Sequence, residues 1–294
     1  MRLAQILFPD GQIHGAIVRD DVVIDIGRRI DECLALASTV GCRVEQLLEH
    51  AAGDGPTYSF RALLAETAPD RPRLTMPICP PEVWGCGVTY KKSAEFRDDD
   101  TQTSKGIYDY VYSAARPETF FKGRTAHCVG PNEPIGIRSD SEFTAPEPEL
   151  ALVLSRRGEI VGFTVADDVS AWDIERENPL YLPQSKIFRG CCALGPVIVT
   201  PDEIGDPNNL LLSARLLRGG EVTFAGSVNT SRIGRSFAEL VHYLTLDNPI
   251  PDGTVVCTGT GVIVPAENAL APGDIVEIEI EKIGVLSNTA TRLS

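Results

Sequence analysis

Residues 142–173 read EFTAPEPELALVLSRRGEIVGFTVADDVSAWD, and the fold and the chemistry both turn on this stretch. Glu147 and Glu149 stand two apart and lead straight into the apolar run Leu150 to Leu154. Side chains at i and i+2 of a strand share a face, so both carboxylates point the same way. Like charges side by side repel unless something positive lies between them. The region of Arg157 reads as a hairpin turn. Pairing around it sets Glu149 opposite Val165 and Glu147 opposite Asp167, to within one residue of register. Asp168 then joins the two glutamates. Three converging carboxylates, with no Cys or His nearby in sequence, are the ligand set of a hard divalent cation such as Mg²⁺. The same residues also fit a solvated acidic strand edge, with Pro148 blocking further pairing.

Outward from this hairpin the chain is punctuated rather than periodic over long distances. LAQILF and HGAIVRDDVVIDIG read as short strands around the turn PDGQ, and VEQLLEHAA and TYSFRALLAETA carry helical spacing. Five prolines between Pro69 and Pro81 favour extended backbone and disfavour helix. They suggest a small N-terminal α+β domain over 1–72 and a second domain over 73–294. The second is a β-rich α+β unit of recurring β-branched runs such as WGCGVTY, GPVIVT, TVVCTGTGVIV and DIVEIEIEKIGVL; SRIGRSFAELVHYL is its best helix.

Composition narrows the function. Among 294 residues, 43% are hydrophobic and 23% charged, which fits a folded globular protein. The net charge of −14 repels phosphate backbones and anionic lipid, so nucleic acid and membrane surfaces are not expected partners. The apolar run near Met1 is too short for a secretory segment, and none approaches the length of a membrane span, so a cytoplasmic location is expected. The eight cysteines show no CxxC pair and read as reduced, mostly buried thiols. His127 beside Cys128 has no second pair at zinc spacing, and neither WGCGVTY nor TGTGVIV has the third glycine of a dinucleotide site.

The order of motifs is similar to that of the fumarylacetoacetate hydrolase superfamily. It comprises the Glu147-Pro148-Glu149 strand, a returning strand ending in Asp168-Val169-Ser170, Lys186 ahead of Leu194-Gly195-Pro196, and TGTG (258–261) before the PGDIVEIEI strand. The likeness runs from about Trp84 to the C-terminus. It implies a mixed β-roll, a Mg²⁺ site at Glu147, Glu149 and Asp168 that Mn²⁺ or Ca²⁺ could also fill, the family lysine at Lys186, and a homodimer or homotetramer. VYSAARPETFFKG, IRSDSEFTAPEPELALVL and DIERENPLYLPQSKIFRGCCALGP resemble the 2-keto-3-deoxy-D-arabinonate dehydratase branch of that superfamily.

That branch implies dehydration of a 2-keto-3-deoxy-pentonate to 2-oxoglutarate semialdehyde, with Glu118 and Lys186 flanking the substrate. A 2-oxo acid chelates one Mg²⁺ through its carboxylate and keto oxygens, which stabilises the enolate left when a C3 proton departs. Glu118 is the candidate proton donor to the C4 hydroxyl. Lys186 is either the base or the holder of enolate charge. By resemblance Tyr90, Glu175 and Thr260 contact substrate. Two departures stand out. Hydrolytic members carry Tyr-x-x-His-Ala, where this chain has Tyr90-Lys91-Lys92-Ser93-Ala94; their Ser-Ala-Arg-Asp is here Ser170-Ala171-Trp172-Asp173. The missing histidine disfavours an acylpyruvate or diketo-acid hydrolase, and Trp172 raises the alternative of a non-catalytic ligand-binding relative.

Overall fold

The computed structural model describes residues 1–53, 55–100 and 106–294. Its centre is the antiparallel pair Pro148–Leu154 and Ile160–Asp168, whose residues are almost all buried. Strands covered on both faces read as continuous apolar runs rather than alternating ones, which is the pattern in this hairpin. Leu150 lies opposite Val165, Glu149 opposite Ala166 and Pro148 opposite Asp167, one residue from the central sequence estimate and within its margin.

Among the described residues this pair belongs to a 12-stranded mixed sheet. Its order is Thr57–Ser59, Val22–Asp25, Ile13–Arg19, Arg2–Leu7, Cys192–Val199, Ile160–Asp168, Pro148–Leu154, Thr254–Cys257, Val83–Gly87 and Glu118–Gly123, with Arg73–Thr75 and Cys128–Val129 pairing off that path. The pairing of Thr254–Cys257 with Val83–Gly87 is parallel. A five-stranded sheet, Glu221–Asn229, Leu211–Arg218, Ile275–Ile280, Gly284–Arg292 and Ile135–Ile137, packs against its central strands. The N-terminal elements join the large sheet through Arg2–Leu7 against Cys192–Val199, and one buried core runs from Leu3 and Leu48 through Leu152 to Leu286.

The helices divide between those the sequence announces and those it does not. Val44–Ala52 and Phe237–Thr245 fall where expected, the latter with Ser236 Oγ accepting from the Glu239 amide. In TYSFRALLAETA the helix starts only at Phe60, because Thr57–Ser59 pairs with Val22–Asp25 and Ser59 caps the helix. Ile30–Val40 is a helix that the strand-by-strand reading passes over, although Ile30, Cys33, Leu34 and Ala37 form its buried stripe. Lys91–Asp100 and Ile107–Ser113 pack against each other. In TVVCTGTGVIV the strand stops at Cys257 and TGTG is loop. All eight cysteines are free. No described helix is long and apolar enough to cross a membrane.

Candidate active site

Pro148 fixes its own φ and biases Glu147 towards extended backbone, so the two glutamates stay on one strand edge. The amide of Glu147 donates to Asp167 Oδ1 at 2.9 Å, and the Asp168 amide to the Glu147 carbonyl at 3.0 Å, which carries the pairing beyond Pro148. Carboxylate oxygens of Glu147, Glu149 and Asp168 come within 4.8 Å of one another, and all three residues are buried. Glu149 Oε2 accepts the Gly259 amide at 2.6 Å, which places the TGTG loop over the triad. Gly259 has φ +96°, and a Cβ there would stand 2.0 Å from Thr89 Oγ1, so the position requires glycine.

Three cations answer these acids. Lys186 Nζ donates to Glu147 Oε1 and Oε2 at 3.0 Å each, to Asp168 Oδ2 at 3.2 Å and to Ser170 Oγ at 2.6 Å. The fully buried Lys122 lies 2.5 Å from Asp168 Oδ1 and donates to the Val169 carbonyl at 2.8 Å. Arg97 donates to Glu147 Oε1 at 2.8 Å and to Glu175. Trp172 Nε1 donates to the same Glu147 oxygen at 2.5 Å.

Burial works to raise the Glu147 carboxyl, but Lys186 and then Arg97 outweigh it and hold the group down at about 2. Glu149 goes the other way: burial, then the charges of Asp168 and Glu147, push it well above the ordinary carboxylate range. Burial alone would lower Lys122 and Lys186, yet Asp168 beside each raises them, so both stay charged.

Glu118, Glu147, Glu149, Asp168 and Glu175 therefore meet Arg97, Lys122 and Lys186, five acids against three cations. A buried, oxygen-only donor set in which one carboxyl is forced towards its neutral form is a set that a hard divalent cation fits. When bound, Mg²⁺ supplies a Lewis acid for the carboxylate and keto oxygens of a 2-oxo acid.

Glu118 opens the strand Glu118–Gly123, paired to Gly87, and its half-buried carboxyl faces the cleft. A Cβ on Gly87 would stand 2.0 Å from Glu118 Oε2, so the glycine makes room for the acid. Burial raises Glu118 against the opposing pull of Arg97 and Lys186. Val88, next to Gly87, takes φ +56°, a strained conformation for a β-branched residue, at the cleft wall.

The structure thus brings Glu118, Glu147, Glu149, Asp168, Glu175, Thr260 and Lys186 to one cleft. The Thr260 hydroxyl is engaged with the backbone of Val262. Tyr90 is buried against Gly261 and bridged to Ile233, outside the cleft lining. Sequence reasoning missed Arg97 and Lys122. The period of two that unites Glu147 and Glu149 also puts Lys122 on the face of Glu118 and Phe120, and Arg97 follows Ser93 by one helical turn.

Residues 83–291 match the fumarylacetoacetate (FAA) hydrolase C-terminal family model. The chain belongs to the fumarylacetoacetate hydrolase family. Within it, the chain is 51% identical over 238 residues, 80% of either protein, to 2-dehydro-3-deoxy-D-arabinonate dehydratase of Saccharolobus solfataricus. It is 47% identical over 217 residues, 74% of each, to a probable 2-keto-3-deoxyxylonate dehydratase of Haloferax volcanii. A solved structure of 2-keto-3-deoxy-D-arabinonate dehydratase complexed with magnesium and 2,5-dioxopentanoate superposes with a TM-score of 0.86 at 42% identity, over 100% of this chain and 99% of that one. The β-rich family fold expected from the motifs is therefore the fold observed.

Proposed function

We infer that this chain is a magnesium-dependent dehydratase of 2-keto-3-deoxy-pentonates that forms 2,5-dioxopentanoate, that is, 2-oxoglutarate semialdehyde. The observation that carries the reading is the buried triad Glu147, Glu149 and Asp168 facing Lys186 and a protonatable Glu118, in a chain half identical to named dehydratases.

Lys186 spends its hydrogens on Glu147, Asp168 and Ser170 and so acts as an ammonium donor. We assign its positive charge to the negative charge that grows on the substrate oxygen as the C3 proton passes to a carboxylate lining the cleft. Glu118, which burial keeps protonated above the usual range, gives its proton to the departing C4 hydroxyl. Ser93, where hydrolytic relatives carry histidine, is buried in the cleft wall. Among the described residues no histidine lines the cleft, so a water-activating imidazole has no counterpart. We also propose a homodimer or homotetramer, in keeping with the half-exposed Val222 on the edge strand of the five-stranded sheet and the half-exposed Leu211 on the strand beside it; light scattering reads its mass.

The deciding experiment incubates the protein with 2-keto-3-deoxy-D-arabinonate and Mg²⁺ while a coupled aldehyde dehydrogenase follows the aldehyde. EDTA-sensitive aldehyde formation is expected. Cleavage of a diketo acid to pyruvate, with no aldehyde from the sugar acid, would contradict the reading.

A further inference from the structure

The Arg97 guanidinium packs over two aromatic rings and works through its edge. It lies 5.4 Å from the Trp172 ring centroid and 5.9 Å from that of Tyr108, so only its in-plane N–H groups reach partners. Those groups donate to Glu147 Oε1 and to Glu175, while Nε is buried without an acceptor. Glu147 Oε1 is crowded, because Trp172 Nε1 and Lys186 Nζ donate to the same atom. A carboxylate oxygen offers two lone pairs, which Arg97 and Trp172 fill while Lys186 is shared with Oε2, so a cation at the triad adds a claim that cannot be met with all of them in place. One donor has to yield. Trp172 has a single N–H and is locked between Phe96 and Phe143, and Lys186 is fixed by Asp168 and Ser170. Arg97 has the most exposed side chain of the three and lines the cleft beside Glu118.

We propose that Arg97 binds the substrate carboxylate: the guanidinium edge now resting on Glu147 and Glu175 passes to the anionic end of the incoming 2-oxo acid. Arg97 then selects an acid over the corresponding neutral keto sugar. It also accounts for a site that works with Trp172 where related sequences carry arginine, since the positive charge arrives from residue 97 and stacks on that tryptophan. The proposal rests on the dehydratase reading and deepens it.

The test is titration calorimetry of the magnesium-loaded protein with pyruvate, the smallest 2-oxo acid, for wild type, Arg97→Gln and Arg97→Lys. Loss of a buried charge-assisted hydrogen bond predicts pyruvate binding weakened about tenfold or more in Arg97→Gln. Arg97→Lys should fall between, because an ammonium keeps the charge without the fork. Mg²⁺ affinity without pyruvate should hold or tighten in Arg97→Gln, as a positive charge leaves the neighbourhood. Pyruvate affinity in Arg97→Gln within about twofold of wild type would overturn the proposal. So would a parallel loss of Mg²⁺ affinity, or a wild type that binds no pyruvate. Sugar-acid turnover is scored apart. An active wild type whose KM is untouched by Arg97→Gln sinks this inference alone, and a wild type that binds pyruvate through Arg97 but yields no aldehyde sinks only the dehydratase reading.

Discussion

Glu118 is the residue on which the direction of the chemistry depends. Replacing it by Gln removes the proton donor but leaves the triad intact, so kcat should fall by about 10²- to 10⁴-fold with Mg²⁺ affinity little changed. Burial raises Glu118, and the acid must be protonated to act. Raising pH through its elevated value therefore removes activity, and kcat measured against pH at saturating Mg²⁺ should show an alkaline limb above the ordinary carboxylate range. A kcat independent of pH there would remove Glu118 from that role. At this scale the three acids were legible because a period of two and one hairpin bring them together. Arg97 was not, since it reaches Glu147 from fifty positions away on a helix whose sequence, KKSAEFRDDD, is polar nearly all round and shows no face.

The hairpin, the corner at Gly87 and the TGTG loop are the elements that build the cleft. Gly87→Ala adds one methyl against Glu118 Oε2, between two paired strands that cannot separate without losing ladder bonds. Its acid should swing away. The expected result is a kcat lowered about tenfold or more with a melting temperature within a few degrees of wild type, read by turnover and calorimetry on one preparation. Unchanged kcat would mean that the acid has no fixed place. The hairpin register was readable to one residue because apolar runs pin both strands. The helix Ile30–Val40 carried a legible stripe, yet the strand pattern just before it masked its start. Where TGTG would fold could not be read, because the Gly259 amide meets Glu149 across 110 positions of chain.

Across the whole molecule, five acids and three bases share one buried volume, which makes stability depend on pH and on metal together. Glu149 is raised in the folded protein, so its protonated form stabilises the fold fully below the ordinary carboxylate range, and that contribution is lost as pH rises through the raised folded value. A divalent cation removes the cause by neutralising the cluster. The rise in melting temperature on adding Mg²⁺ should therefore be larger at alkaline pH than at mildly acidic pH, and calorimetry in two buffers should show proton release on binding. An equal rise at both pH values would argue against a strained Glu149. Continuity of the sheet from the N-terminal strands to the hairpin was hidden in the sequence, since it depends on Arg2–Leu7 finding Cys192–Val199. The most direct test of the account is to strip the protein with chelator, titrate it with Mg²⁺, and follow binding and dehydration together for wild type and Glu149→Gln. Dehydration should rise in step with the filling of one site per chain and be lost in the variant together with binding. Turnover by the stripped protein, or by a variant that binds no Mg²⁺, would contradict it.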